Sequence, residues 1–227
     1  MTISAITPAT PKTALSGKAG IILSELERRF VGGQYRFGES LSINALAEEF
    51  EASRQPVSTA VNHLRSMGYV DIVPQVGCIV VSPDKGEVAD FFYMLGKAES
   101  AVAGMAATRW LPGDIEILQQ IEANISSTAF DTMEHRGAYA AAVDLYHDKI
   151  HSMAQSDGVA IWLEGLWRLA EFYLWQGADV NFSPKRLDTA NRERRAIVRA
   201  IKRRDVPLVE SRVEAHVNGK PRRVGVV

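Results

Sequence analysis

The chain of 227 residues is 46% hydrophobic and 23% charged, with a net charge of −1, which suits a water-soluble globular protein with room for two modest cores. Its single cysteine, Cys78, excludes an intramolecular disulfide and fits a reducing cytoplasm. The most apolar run, 161–175, is broken by Glu164, Arg168 and Glu171, so no stretch offers the roughly 20 apolar residues of a membrane-spanning helix and no membrane partner is expected.

Residues 1–14 lack the apolar centre of a secretion signal and read as a flexible polar arm. A first helix is expected over 17–31, where Ala19, Ile22, Leu23, Leu26 and Phe30 recur at helical spacing before Gly32 and Gly33. Ser42 can cap a second helix over 43–50, packed through Ile43, Leu46, Ala47 and Phe50. Ser53 can cap a third, with Pro56 tolerated in the first turn and Val57, Ala60, Val61 and Leu64 forming its apolar stripe up to Gly68. Two β-branched runs, 69–73 and 78–81, then flank a turn at Pro74, Gln75, Val76 and Gly77. Three helices and a hairpin, with a tight turn between the second and third helices, predict a winged helix-turn-helix over 15–82.

Residues 83–86 read as a linker, and 87–219 carry only helical patterning. Helices are expected at 86–109, 113–127, 132–155, 158–177, 184–204 and 206–218, punctuated at Pro112, Asp131, Asp157, Pro184 and Asp205. Connections this short favour antiparallel neighbours. The fold class is therefore mainly α: an N-terminal winged helix-turn-helix plus a C-terminal antiparallel all-α bundle. The alanine-rich segment 98–107 suits close helix packing.

Away from its apolar stripe the third helix carries Arg54, Gln55, Ser58, Thr59, Asn62 and His63. A helix that enters the major groove of DNA needs short polar or basic side chains of this kind near its N-terminus. Arg54 can donate two hydrogen bonds to a guanine edge, while Ser53, Ser58 and the first-turn amides can hold phosphates. Arg36 before the second helix, and Gln75 and Gly77 of the wing, can reach the DNA backbone or minor groove. Residues 1–83 hold as many acidic as basic side chains, so double-stranded DNA must be recognised by the placement of charge rather than its excess. On a purely structural winged helix the same face would simply be solvated.

The run Gly33-Gln34-Tyr35-Arg36-Phe37-Gly38-Glu39-Ser40-Leu41, then Leu46 to Phe50, then Ser53-Arg54-Gln55-Pro56-Val57 resembles the DNA-binding domain of the GntR family. The resemblance covers about residues 15 to 82 and implies a two-fold operator read by a homodimer. Phe37 stands where the family usually has proline, which removes a constraint from that turn. Ser58 replaces a common arginine, and Asn44 fills another position that is often basic.

Later segments resemble the family's FadR-type (FCD) effector domain: Asp90 to Glu99 into Arg109, Tyr146 to Ile150, and Glu193 to Ile197 followed by Ala200, Asp205 and His216. The resemblance implies a small, organic-acid-like effector and, in many members, a divalent metal on one aspartate and three histidines. Here His147 and His216 match two of those histidines, while the third falls on Arg194 and the aspartate on Val143; an arginine common in the first sensor helix falls on Leu95.

Two readings of the effector site remain open. In the first no cofactor is needed, because Arg194 replaces the metal with a fixed cation that binds a carboxylate or phosphate. In the second a transition metal such as zinc or nickel is held by His147 and His216, with a helical face offering Asp144 and His151 as well. The aromatic cluster Trp162, Trp167, Phe172, Tyr173 and Trp175 reads as core or dimer interface, and as an apolar wall if it lines a cavity. The stretch 185–223 carries 13 Lys or Arg against 5 Asp or Glu, which reads as a solvated helix face before a nucleic-acid patch. The expected function is an effector-modulated, DNA-binding transcription regulator, a repressor rather than an enzyme. The alternatives are a metal-dependent small-molecule enzyme built on Asp144, His147 and His151, and an interaction module that has lost DNA binding.

Overall fold

The computed structural model describes residues 15–73, 77–128, 133–176 and 184–226, with the side chains of 133–137 and 184–186 left aside. The expected arm at 1–14 and Gln75 of the wing lie outside the described residues. The chain divides into two compact units between Ser82 and Pro83. No helix among the described residues is long and apolar enough to cross a membrane.

The first unit runs α1 (Gly17–Val31), β1 (Ser40–Leu41), α2 (Ile43–Glu49), α3 (Arg54–Ser66), β2 (Val70–Val73) and β3 (Gly77–Val80). Ile22, Leu26 and Phe30 of α1 meet Val57, Ala60, Val61 and Leu64 of α3 in a sealed core, each larger side chain stabilising the unit by about 1.5–3 kcal/mol on burial. The three strands are antiparallel in the order β1-β3-β2. The two-residue strand β1 was not expected from the sequence, since so short a run has no alternation to read. The turn before it closes despite Phe37: Glu39 N donates to Arg36 O at 3.1 Å, and the Glu39 carboxylate accepts from Arg36 N at 2.9 Å. Gly38 takes φ +76, the left-handed step that this kind of turn requires.

Arg29 ties α1 to α2 by donating to Glu25 at 2.9 Å and to Glu49. Between α2 and α3 the chain turns through Glu51 at φ 46, where Ala52 N donates to Ala47 O at 2.9 Å. That turn sets the axis of α3 and therefore the direction its exposed face points.

The second unit comprises α4 (Lys85–Arg109), α5 (Asp114–Ser127), α6 (Met133–Met153), α7 (Asp157–Leu174), α8 (Pro184–Lys202), α9 (Val206–Asn218) and α10 (Lys220–Val224). Its most extensive packing joins α4 to α9. Gly96 makes this close approach feasible, for a Cβ there would lie 2.3 Å from Asn218 Oδ1. Arg204, just beyond α8, donates to the carbonyl of Thr108 at 2.7 Å and stacks 4.1 Å over the Trp110 ring, satisfying the open end of α4.

Two boundaries correct the sequence expectations. The expected linker at 83–86 is shorter, because Lys85 and Gly86 already belong to α4, whose N-terminus is closed by a capping box: Asp84 Oδ1 accepts from Glu87 N at 2.9 Å, and Glu87 Oε2 accepts from Asp84 N at 2.8 Å. The bundle also continues past 219 into α10, a five-residue helix too short to show a period. Replacing Asp84 by Ala is expected to cost about 1 kcal/mol of unfolding free energy in urea melts of the full chain. Asp84→Ala combined with Glu87→Ala should cost less than the sum of the two singles.

Candidate DNA-reading face and ligand cavity

On α3 the side chains of Arg54, Gln55, Thr59 and Asn62 are exposed, while Ser58 and His63 are half-buried. Ser53 sits at the N-cap with extended backbone and makes no capping bond with its side chain, so its hydroxyl is available to an incoming group. Thr59 is oriented by donating to Gln55 O at 3.0 Å. Arg54 forms no ion pair among the described residues. Arg28 and Arg29, by contrast, are committed to Glu25 and Glu49. Arg36 is exposed in the turn before β1, and Gly77 opens β3 at φ +114 with open space around it. The first unit thus leaves Arg54 exposed on the α3 face without an ion pair among the described residues, although its charges balance overall.

In the second unit a cavity of about 130 Å³ is lined by residues of α6, α7, α8, α9 and α10. The four positions that the resemblance aligned with metal ligands, Val143, His147, Arg194 and His216, all line this one cavity. Leu95 does not; it is sealed in the bundle core. The aromatic cluster divides: Trp167 and Trp175 form part of the cavity wall, Phe172 is fully buried elsewhere, Tyr173 packs edge-on to Phe91, and Trp162 is exposed.

Arg194 is buried and donates to Tyr139 Oη at 2.8 Å and to Asn191 Oδ1, while its Nε–H has no partner among the described residues. His216 Nδ1 lies 2.6 Å from Glu193 Oε2. A carboxylate can only accept, so Nδ1 carries the proton and Nε2 keeps its lone pair. That buried Nε2 also lacks a partner among the described residues. Burial and then the nearby Lys220 cation hold the His216 imidazole well below its usual range, which keeps it neutral.

Lys220 and Arg223 of α10 also line the cavity, and the sequence reading missed both. Their only signal was membership of the basic stretch, which does not distinguish a solvated lysine from an enclosed one. Lys220 Nζ stands 3.3 Å from His147 Nε2 and 3.9 Å from the centre of the Trp167 ring. Burial, followed by Arg194 and Arg223 close by, pushes the Lys220 ammonium down to about 7. Burial likewise lowers His147 to about 4. Arg223 is paired with Glu193 at 3.0 Å. Asp144 and Glu171 both line the cavity. Asp144 still reaches solvent, but lost hydration on the cavity side pushes its carboxyl up; burial and the adjoining Asp144 raise Glu171 further.

His151 points elsewhere. Its Nε2 is 2.8 Å from Oε1 of the buried Glu99, which also accepts from Trp167 Nε1 at 2.6 Å, while Glu99 Oε2 lies 3.9 Å from His147 Nδ1. Burial disfavours the Glu99 charge, but His147 and His151 outweigh it and hold the carboxyl below the usual range. Burial lowers His151, yet the Glu99 carboxylate raises it more. Glu99 was a second omission, since an acidic residue on an alanine-rich helix reads as a surface position.

The expected face of Asp144, His147 and His151 therefore does not converge on one point, and the metal-enzyme reading built on it loses its third ligand. Among the described residues no group of three His, Cys, Asp or Glu side chains is placed to hold a metal ion. The donor chemistry does not fit a dication either. Val143 offers no lone pair, the lone pair of His147 Nε2 faces the Lys220 ammonium, and Arg194 adds a fixed positive charge. The basic stretch is also partly spent inside the bundle, in Arg194, Arg204, Lys220 and Arg223.

Glu99→Gln should destabilise the second unit by about 3–5 kcal/mol, because the amide leaves the buried His151 charge unanswered. The His151 contribution is complete below its ordinary value and fades as pH rises through its raised folded value; the Glu99 contribution fades as pH falls through its lowered one. Thermal melts of wild type and Glu99→Gln should thus differ most between about pH 5 and 6.5 and converge on either side.

Residues 19–80 match the family model for bacterial regulatory proteins of the gntR family, and residues 95–219 match that of the FCD domain. Among solved structures the chain is similar to Escherichia coli McbR/YncC, with 17% identity, 89% of this chain and 94% of that one covered, and a TM-score of 0.70. It is similar to a GntR transcriptional regulator from Rhodococcus sp. RHA1, with 16% identity, 92% and 98% coverage and a TM-score of 0.70. A third likeness is to Lar, which controls expression of the Listeria monocytogenes agr system, at 16% identity, 92% and 97% coverage and a TM-score of 0.60. At these identities the likeness shows the fold alone, and no curated protein sequence matches the chain. The family assignment rests on the two domain matches, which together account for most of the chain: this protein belongs to the GntR family of bacterial transcription regulators, with a winged helix-turn-helix followed by an FCD domain.

Proposed function

We propose that this regulator is a homodimeric repressor that binds a two-fold DNA operator through α3 and is released by a small organic anion bound in its C-terminal cavity. The observation that carries the DNA-binding half is the exposed polar face of α3, headed by Arg54 with no ion-pair partner among the described residues. Arg54 reads a guanine by two parallel hydrogen bonds, while Gln55, Thr59 and Asn62 face neighbouring base edges. Ser53, Ser58 and the first α3 amides take phosphates, and Arg36 with the wing at Gln75 and Gly77 flanks the groove. The sensor half is supported by the buried Arg194 and the half-buried Lys220 and Arg223 on the cavity wall, beside His147, His216 and Asp144. Ligand occupancy acts by biasing the spacing of the two reading units in the dimer, which must match the spacing of the half-sites. Tyr93, Met94, Ile161 and Trp162 are each at least half exposed, apolar surface that a second copy would cover.

DNA from upstream of the protein's own gene, titrated at several salt concentrations, tests this reading. The expected result is a specific complex whose affinity falls steeply with salt. Arg54→Ala should weaken it by about 1–3 kcal/mol per half-site. A mutant that binds as tightly as wild type removes Arg54 from base reading. Absence of any complex at low salt favours a protein-interaction module instead.

A further inference from the structure

The outer face of α8 carries a row of cations that neither the bundle nor its cavity uses. We infer that this row is a second, sequence-independent contact to DNA, in which Arg192, Arg199, Lys202 and Arg203 take phosphates of the duplex. This rests on reading the chain as a DNA-binding regulator.

The first argument is placement. From residue 189 to 203 the exposed side chains are Arg192, Arg199, Lys202 and Arg203, while Ala196, Ile197, Ala200 and Ile201 turn into the bundle. On helical geometry the four fall within an arc of about 100° and extend over roughly 16 Å. None of them forms an ion pair among the described residues; Arg192 donates to Thr189 Oγ1 at 3.1 Å. Neighbouring acids are engaged elsewhere. Glu193 meets His216 and Arg223, and Asp205 accepts from Leu208 N at 3.2 Å as the cap of α9. Arg195, at the margin of the row, is answered by Glu122 at 3.6 Å. Asp188, one turn before Arg192, is the exposed acid at its head.

The second argument is that α8 itself does not call for this row. A helix dipole rewards cations in the last turn, where Arg199, Lys202 and Arg203 lie. Arg192 stands more than two turns earlier. Like charges three and four residues apart, as in Arg199 with Lys202 and Arg203, repel and destabilise a helix. An external polyanion reverses the sign of that repulsion.

The third is demand. Residues 1–83 carry seven Lys or Arg and seven Asp or Glu, and Arg28 and Arg29 are held by Glu25 and Glu49. Sequence-independent affinity for DNA comes from Lys and Arg that neutralise phosphates and release counterions. A charge-balanced reading unit is poorly supplied for that work, and the α8 row adds the cations it lacks. DNA is favoured over an acidic protein because the exposed side chains of the row are all cationic. A protein interface needs apolar anchors at its centre, whereas a phosphate backbone needs charge alone.

Fluorescence anisotropy of the full-length protein tests the inference, using the DNA upstream of its own gene and a random-sequence duplex of equal length. The fourfold variant Arg192→Gln, Arg199→Gln, Lys202→Gln, Arg203→Gln should bind both duplexes more weakly, by about tenfold or more. Its plot of log affinity against log salt between about 50 and 200 mM should be shallower by about 2 or more. Arg54→Ala should instead weaken the upstream DNA and spare the random duplex. Arg192→Lys, Arg199→Lys, Arg203→Lys keeps the charges and should keep the salt slope, and thermal melts of both multiple variants should match wild type. A fourfold variant with the wild-type salt slope overturns this inference alone. So does one that binds DNA normally but no longer binds polyglutamate as wild type does, which would assign the row to an acidic protein. Absence of any wild-type complex at low salt overturns the DNA-binding reading together with it.

Discussion

Burying the Glu99 carboxylate inside a helical bundle is a constraint that organises everything around the cavity. An ionised carboxylate is tolerated there only because its oxygens receive the His151 imidazole and the Trp167 indole, with His147 close by. Those partners come from α6 and α7, while Glu99 itself is on α4, so one side chain locks three helices in register. Trp167 then presents its face to Lys220, and His147 presents its second nitrogen to the same ammonium. The helix α10 is thereby drawn against the bundle, and the cavity acquires its cation.

Electrostatics works in opposite ways in the two units. In the first, the ion pairs of Arg28 and Arg29 with Glu25 and Glu49 lie at or near the surface and contribute little to stability. In the second, Glu99, His151 and Arg194 are enclosed, where removing one partner of a charged pair is expensive. Arg194, Lys220 and Arg223 line the cavity together with Asp144 and Glu171, and Arg223 is paired with Glu193. Such an arrangement tolerates a guest anion more readily than a dication.

Much of the fold could be read before any coordinates were considered. The apolar stripes of α1 and α3, the cap at Ser42, and the helical runs after residue 84 each announce themselves through local period and punctuation, whereas Ser53 takes the N-cap position without a capping bond. The alignment of His147, Arg194 and His216 onto one site was legible as well, because spacing along homologous helices preserves position even when the ligand chemistry has changed. Short elements escaped: neither the two residues of β1 nor the five of α10 are enough to display a repeat. His151 was misassigned for a related reason. Its place four residues after His147 suggests a shared face, but only the neighbour across the helix interface, Glu99, shows which way the ring turns.

The sequence by itself determined the two-unit architecture, the polar face of α3 and the loss of two metal-ligand positions, since each is carried by residue identity at a local or family-fixed spacing. The tertiary structure alone decided which charges are enclosed. Glu99, Lys220 and Arg223 resemble surface residues when read along the chain; packing of distant helices buries Glu99 and brings the half-buried Lys220 and Arg223 to the cavity wall. Burial is a property of what packs alongside, and the environment that lowers the pKa of Lys220 is set by residues far away in sequence.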